Sequence, residues 1–189
     1  MKNKFTYVLN VVSNDHPGIV AAVSSAVHHI GGNIESCSQT VLDGYFTFIL
    51  VVSFSEKMDA DEISALVKQH GGLQTGYKVV ALPMETSGEQ SRATETDVFV
   101  ITAFGKDRPG IVKEISKYLA DKQINILDFY TRCDGGEFTM MGQVQIPSRL
   151  DLRMLQADLE AIGEEFEFTV QLQHNNIFVA TNELRLQNS

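Results

Sequence analysis

The sequence predicts an α+β protein made of two copies of one β-α-β-β-α-β unit. Residues 15–52 and 107–144 align without a gap at an offset of 92 residues and are identical at twelve of 38 positions. In both copies, β-rich runs alternate with stretches of helical periodicity. Between the copies lies PMETSGEQSRATET, residues 83–96, which is rich in Ser, Thr, Glu and Pro and has almost nothing to bury. These features indicate a duplicated supersecondary unit with a linker.

The first copy begins with a β-forming, mostly apolar run at residues 5–12, followed by the turn NDHPG. A helix is predicted next because apolar residues recur at helical spacing. These residues are Ile19, Val20, Val23, Val27 and Ile30. Gly31 and Gly32 are predicted to end the helix. NIESCSQTV and YFTFILVVSF flank a turn at LDG and together predict a hairpin.

The second helix of this copy is predicted to begin after Asp59, which forms a capping-box-like start with Glu62. Its apolar stripe is Ile63, Leu66 and Val67, and it is predicted to stop at Gly71 and Gly72. A last strand, TGYKVVAL, is predicted from Thr75.

The second copy repeats this order. The stripe of its first helix is Ile111, Val112, Ile115 and Leu119, and a hairpin follows as NILDFYTRC, DGG and EFTMMGQVQI. For its second helix we predict Ser148 as the cap and Gly163 as the end. The stripe of that helix is Leu152, Leu155, Leu159 and Ile162. The last strand, EFEFTVQLQ, is predicted from Glu165.

Right-handed crossovers fold such a unit into a ferredoxin-like, four-stranded antiparallel sheet with both helices on one face. The predicted domains are residues 1–82 and 97–173, with the linker at 83–96 and a tail at 174–189 that either adds an edge strand or docks on the surface. The other sheet face is open, which favours packing of the copies on each other or on another chain, including a homodimer.

Composition excludes several classes of function. The net charge of −9, from 15 Lys plus Arg against 24 Asp plus Glu, argues against direct nucleic-acid binding. No apolar run approaches a membrane span and the N-terminus lacks a signal-peptide pattern, so we expect a cytoplasmic protein that does not bind membranes. Cys37 and Cys133 do not correspond between the copies and are interpreted as reduced, structural thiols.

The repeated Asp-x-Pro-Gly turn has two interpretations. Pro17 and Pro109 suit the first turn of a helix, and Gly18 and Gly110 allow close approach of the backbone to a ligand, such as a carboxylate at the helix N-terminus. In the other interpretation, Asp15 only caps its helix, and Pro and Gly only shape the turn; the same holds for the second copy.

Two further features bear on this choice. Asn33 and Asn125 follow the first helix of each copy, where they either offer an amide to the same pocket or act only as turn residues. The two turns also differ in charge, because His16 and Asn14 of the first copy correspond to Arg108 and Lys106 of the second. The second turn is therefore predicted to be the better anion binder if both are open.

We find no catalytic or metal-binding motif. The five histidines show no His-x-x-x-His spacing, and phosphate loops, dinucleotide fingerprints and nucleophile elbows are absent from the sequence. Glu164, Glu165 and Glu167 are interpreted as a solvated face. No enzymatic activity, metal or cofactor is predicted.

With this element order, and with DHPGIVAAVSSAVHHIGGNI and DRPGIVKEISKYLADKQINI opening the two copies, the sequence resembles the ACT domain family. Two copies of D-x-P-G-I, each followed at a fixed distance by N-I, carry the resemblance, which covers nearly the whole chain except linker and tail. It implies small-molecule regulatory modules that bind amino acids near the first strand-to-helix turn, often at an interface between two units.

The resemblance implies effector contacts in both copies. In the first they are Asn14, Asp15, His16, Gly18, Ile19 and Asn33, and in the second Lys106, Asp107, Arg108, Gly110, Ile111 and Asn125. Because the turns differ, one option is that a single site retains binding.

No catalytic or DNA-binding domain is expected beside the two units, and the sequence is similar to free-standing tandem members of the family. This similarity implies an accessory transcriptional repressor of glycine-degradation genes that binds a DNA-binding activator protein and responds to glycine or another small amino acid. The alternatives are a regulatory subunit of a metabolic enzyme and a small enzyme on a ferredoxin-like scaffold.

Overall fold

The computed structural model describes residues 4–72, 76–84 and 96–179, which form two compact units, one on each side of residues 85–95. The first unit contains β1 (Phe5–Asn14), α1 (Ile19–His29), β2 (Asn33–Leu42), β3 (Tyr45–Phe54), α2 (Ala60–His70) and β4 (Lys78–Pro83). The second contains β5 (Thr96–Lys106), α3 (Ile111–Asp121), β6 (Asn125–Asp134), β7 (Glu137–Pro147), α4 (Leu152–Phe166) and β8 (Phe168–His174). The predicted α+β class and element order are confirmed.

Each unit has one four-stranded sheet in which every paired neighbour is antiparallel. The strand orders are β2-β3-β1-β4 and β6-β7-β5-β8, so the first strand of each unit is central and contacts the last strand. The β2-β3 hairpin turns at Asp43 and Gly44, and the β6-β7 hairpin turns at Gly135 and Gly136, all with positive φ. Two-residue turns of this kind match the twist of antiparallel strands.

The core of each unit lies between the sheet and its two helices. Leu9, Leu50 and Val23 are fully buried in the first, together with Ile63 of α2. Ile101, Ile115 and Leu159 are buried in the second. Because one stripe of each helix and alternate strand residues share this core, both helices cover the same sheet face.

Three positions of the predicted helix stripes are wrong. Val20, Val112 and Leu152 are 43%, 40% and 41% exposed. Each lies in the first turn of its helix, three residues before the buried residues Val23, Ile115 and Leu155, where the stripe reaches the end of the helix. An apolar residue at helical spacing is therefore not sufficient to predict a buried position.

The ends of α4 also differ from the prediction. Asp151, not Ser148, is the N-cap, and its carboxylate accepts hydrogen bonds from the backbone N–H groups of Arg153 and Met154. The helix does not stop at Gly163 but continues to Phe166, so β8 begins at Phe168 rather than Glu165. Gly163 is buried, and a Cβ there would lie 2.4 Å from the carbonyl oxygen of Phe168. This glycine is explained by close packing of helix against strand.

The variant Gly163→Ala is therefore expected to destabilise the second unit by about 2 kcal/mol, in the range of overpacking in a filled core. Helix propensity alone would favour alanine by about 1 kcal/mol. Urea unfolding of the full chain measures which effect is larger. A variant as stable as the native chain, or more stable, would contradict the packing argument.

Several predicted segments lie wholly or partly outside the described residues. They include Thr75, most of the linker at 83–96 and the tail from residue 180 onward. The last strand of the first unit begins at Lys78. Residues 175–179 form a helical turn, so the described part of the tail does not add a strand. In the described residues, no helix is long and apolar enough to span a membrane.

Candidate functional site

Each Asp-x-Pro-Gly turn connects the central first strand to the first helix of its unit. Gly18 and Gly110 are the N-caps of α1 and α3 and adopt left-handed φ values of 97° and 101°. Residues other than glycine rarely adopt this conformation, which explains the repeated glycine. Pro17 and Pro109 precede the N-cap, so their predicted place within the first helical turn is wrong.

A backbone hydrogen bond joins each turn to the neighbouring hairpin. The backbone N–H of Asp15 donates to the carbonyl of Gly44 at 2.8 Å, and the N–H of Asp107 donates to the carbonyl of Gly136 at 2.9 Å. Each turn is thus bound to the tip of the neighbouring hairpin, which holds the start of the helix in place.

The capping interpretation of these aspartates is wrong. No side chain of the described residues caps α1 or α3, whereas Asp59 and Asp151 do cap α2 and α4. The first N–H groups of α1 and α3 therefore remain available to a guest. Free N–H groups and the helix dipole favour a negatively charged group at such a position.

The asparagines do not join the turn of their own unit. On β3, Asn33 pairs with Ser53 and Asn14 pairs with Tyr45, which are eight residues apart. Eight residues of strand span about 26 Å. In the second unit Asn125 pairs with Gln145 and Lys106 with Glu137, the same separation. Because α1 runs back along the sheet, the residue that follows it lies at the opposite end of the sheet from the turn. The prediction that the asparagine and the turn of one unit share a pocket is therefore wrong.

Asn33 instead belongs to a polar cluster around Glu35, the extra residue of a β-bulge in β2. The Glu35 carboxylate accepts hydrogen bonds from Lys4 Nζ at 2.8 Å, Ser53 Oγ at 2.6 Å and Asn33 Nδ2 at 3.2 Å. These bonds, led by the one from Lys4, lower the pKa of Glu35 to about 2. The cluster anchors the edge strand β2.

The Glu35 cluster predicts a pH dependence. The folded pKa of about 2 lies below the ordinary 4.5, so the stabilisation is fully present above pH 4.5 and is lost as the pH falls towards 2. In Glu35→Gln the gap in urea midpoint relative to the native chain should be largest near pH 6 and shrink by pH 3. Glu56→Gln, which removes an exposed acid of the same unit, is the control. A gap that stays constant with pH would contradict this role.

The first turn is closed at one side by a histidine–tyrosine pair. His16 Nδ1 lies 2.9 Å from the carbonyl oxygen of Pro17, and Nε2 contacts the hydroxyl of Tyr77, just before β4. Because a carbonyl only accepts, Nδ1 donates this hydrogen bond. The rings are nearly perpendicular, with centroids 5.7 Å apart. The imidazole and the phenol therefore form one wall of the first turn.

The second turn is closed by an ion-pair cluster. Lys106 Nζ lies 2.6 Å from Glu167 Oε2, and the Arg108 guanidinium contacts Glu167 Oε1. The backbone N–H of Lys106 also donates to the Glu167 carbonyl at 3.2 Å. The hydrogen bond from Lys106 and the charge of Arg108 lower the pKa of Glu167. Glu167 is exposed, in keeping with the interpretation of a solvated face, and it is also paired with both cations of the turn.

The two aspartates also differ in their surroundings. Partial desolvation and a hydrogen bond to Asp107 raise the pKa of the Cys133 thiol, which donates to that carboxylate. At the 92-residue offset the first unit has Val41 in place of this cysteine. In the described part of the chain, the Asp15 carboxylate has no hydrogen-bond or ion-pair partner. The first turn thus keeps a free carboxylate beside free helix N–H groups.

This arrangement matches the two charged groups of a free α-amino acid. The N-terminus of α1 favours the carboxylate of the ligand, and Asp15 favours its ammonium group. The described residues contain no cluster of three or more potential metal ligands. The first turn is therefore the candidate site for a small ligand that carries both charges.

Sequence reasoning missed Tyr77 and Glu167 because each is 61 residues from its partner in the turn. The strand order contains the signal that could have found them. The last strand pairs with the first, so the residues just before it must lie beside the turn.

Comparison with known proteins identifies the repeated unit. A sequence model of the ACT domain matches residues 6–73 and 97–173. A UPF0237 protein of Corynebacterium diphtheriae is 49% identical over 73 residues, which cover 39% of this chain and 80% of that protein. One from Methanocaldococcus jannaschii is 40% identical over 80 residues, 42% of this chain and 89% of that protein. A match of 52% identity to a Streptococcus pneumoniae UPF0237 protein spans 59% of its length.

Two solved structures extend the likeness to both units. An unknown protein from Galdieria sulphuraria superposes with a TM-score of 0.73 at 25% identity, over 91% of this chain and 99% of that one. A proposed glycine cleavage system transcriptional repressor superposes with a TM-score of 0.63, over 91% of this chain and 99% of that one. At 17% identity, this likeness shows the fold alone. The family model covers most of the sequence and matches each unit separately, and the chain therefore belongs to the ACT domain family, with two ACT domains in tandem.

Proposed function

We propose that this protein is a non-enzymatic, amino-acid-responsive regulator. Its effector, glycine or another small amino acid, binds at the first turn, and its output is repression of the glycine cleavage system through a DNA-binding activator protein. The observation that carries the proposal is the uncapped α1 N-terminus beside the free Asp15 carboxylate.

The chemistry of the first turn supports the effector class. An α-amino acid supplies one negative and one positive group a few bonds apart, and the turn offers one complement to each. His16 and Tyr77 form one wall of the turn, which lacks the two cations, Lys106 and Arg108, of the second turn. Glycine is favoured within this class by the structural likeness to the proposed glycine cleavage repressor.

The charge of the chain supports action through another protein. With a net charge of −9, the chain cannot gain affinity for DNA by releasing counterions from phosphates. A DNA-binding activator would supply the basic surface that this chain lacks, and the negative charge would steer the two proteins together.

The proposal is tested with three purified components: the full chain, the activator of the glycine cleavage genes and their operator DNA. We expect the chain to bind the activator, to leave naked operator DNA unbound, and to release the activator when glycine is added. Asp15→Asn should retain the complex in the presence of glycine, whereas Asp107→Asn should release it as the native chain does.

Two results would contradict the proposal. Direct binding of operator DNA by the chain would overturn the argument from charge. Absence of activator binding, combined with stable association with a metabolic enzyme whose activity then responds to the amino acid, would establish a regulatory subunit instead.

A further inference from the structure

The two units differ at one backbone position beside the turn, just before the last strand. Neither the sequence repeat nor the match to the family model includes this difference. In the strand registers, Val12 pairs with Lys78 and Phe104 pairs with Thr169, so Gly76 and Glu167 occupy equivalent places two residues earlier. Both have positive φ, 83° and 59°. A left-handed conformation favours glycine, and the first unit uses glycine there. The second unit places a glutamate in a conformation that disfavours it.

The glutamate is held by the side chains that would otherwise receive an anion. Its two carboxylate oxygens contact Lys106 and Arg108, one each. These are the two cations that distinguish the second turn from the first, where Asn14 and His16 stand in their places. The cations and the glutamate therefore form a matched set that is absent from the first unit.

We infer that the second turn is a carboxylate-binding site occupied by the chain's own Glu167. This inference rests on the proposed role of the turns as ligand sites and assigns them different states: the first is open to an effector, and the second is closed by an internal carboxylate. Once the Glu167 carboxylate is removed, the second site should bind small carboxylates, including the carboxylate group of an amino acid.

The exposure of the cluster indicates that the internal carboxylate is displaceable. The side chains of Lys106, Arg108 and Glu167 are 72%, 44% and 41% exposed. Exposed ion pairs contribute little net stability, because water and salt compete with them. Removal of Glu167 should therefore uncover the two cations without unfolding the unit.

The chain itself suggests the test variant. Glu167→Gly restores the residue found at the equivalent position of the first unit and relieves the positive φ. Glu167→Gln removes the charge and keeps the size, so it serves if the glycine variant folds poorly. Glu165→Gln removes the same charge from an exposed position nearby and is the matched control.

The probe is sodium acetate, titrated against sodium chloride at equal ionic strength into the full ¹⁵N-labelled chain. The readout is the backbone amide shifts of residues 106–108 and 110–112. In Glu167→Gly and Glu167→Gln we expect saturable shifts with an apparent Kd at least tenfold lower than in the native chain and in Glu165→Gln. Equal acetate affinity in all four proteins would overturn the inference.

A glycine titration of the same samples separates this inference from the proposed function. Glycine binding by the native chain at the first turn, without an acetate gain in the Glu167 variants, would overturn the inference and leave the proposed function standing. An acetate gain with no glycine binding anywhere would support the inference and overturn glycine as the effector. If the first turn binds glycine and Glu167 closes the second turn, the number of glycine molecules bound per chain should rise from one to two in Glu167→Gly.

Discussion

Replacement of Ile115 by aspartate is expected to unfold the second unit. Ile115 is fully buried in the core between α3 and the sheet. An unpaired carboxylate there costs several kcal/mol, comparable to the whole stability of about 5–15 kcal/mol of a small domain. In the full chain, urea unfolding should lose the cooperative transition of this unit, and Val23→Asp should do the same in the first unit.

The matched controls lie on the same helices. Val112→Asp and Val20→Asp introduce the same charge at positions 40% and 43% exposed, and should change stability by less than about 0.5 kcal/mol. They also place an acid in the first helical turn, where the helix dipole favours it. Retained cooperative unfolding in Ile115→Asp, or unfolding in Val112→Asp, would contradict the assignment of the buried helix face.

The second large effect is expected for Gly18→Val. Gly18 has φ of 97°, and a left-handed conformation costs an L-residue about 1–2 kcal/mol, with a β-branched side chain at the upper end. The space around an added Cβ is open, with no atom within 4 Å. The effect therefore comes from backbone strain, which reorients the first N–H groups of α1, and not from a side chain that blocks the ligand.

Gly18→Asn separates these two causes, because asparagine tolerates the left-handed region better than valine. We expect Gly18→Val to destabilise the first unit by about 2 kcal/mol and to weaken effector binding at least tenfold, with a smaller loss of both in Gly18→Asn. Thermal unfolding and titration of both variants measure the two quantities. Equal losses in the two variants would point to steric exclusion and contradict the strain argument.

The local elements could be predicted because their determinants lie close together in sequence. The hairpin at Asp43 and Gly44 and the cap at Asp59 are each determined by a few adjacent residues. The N-cap of α4 was harder to predict, because Ser and Asp are both favoured N-cap residues and Ser148 and Asp151 are only three residues apart. Only the structure shows that α4 begins after Asp151. Gly163 was mistaken for a helix end because glycine serves both as a stop and as a point of close packing.

The site could be predicted only in part. The turn itself is visible in the repeat, but the partners that distinguish its two copies come from the last strand, 61 residues away. The error over Asn33 has the same origin, since β2 was taken as the neighbour of β1, whereas β3 lies between them. Strand order, which depends on long-range pairing, decides both cases.

The central claim is that the first turn binds a small amino acid and the second is closed. Calorimetric titration of the full chain with glycine, serine and alanine tests it most directly. We predict saturable binding of glycine at one site per chain, lost in Asp15→Asn and retained in Asp107→Asn. Absence of binding by any small amino acid, or binding that survives Asp15→Asn, would contradict the account.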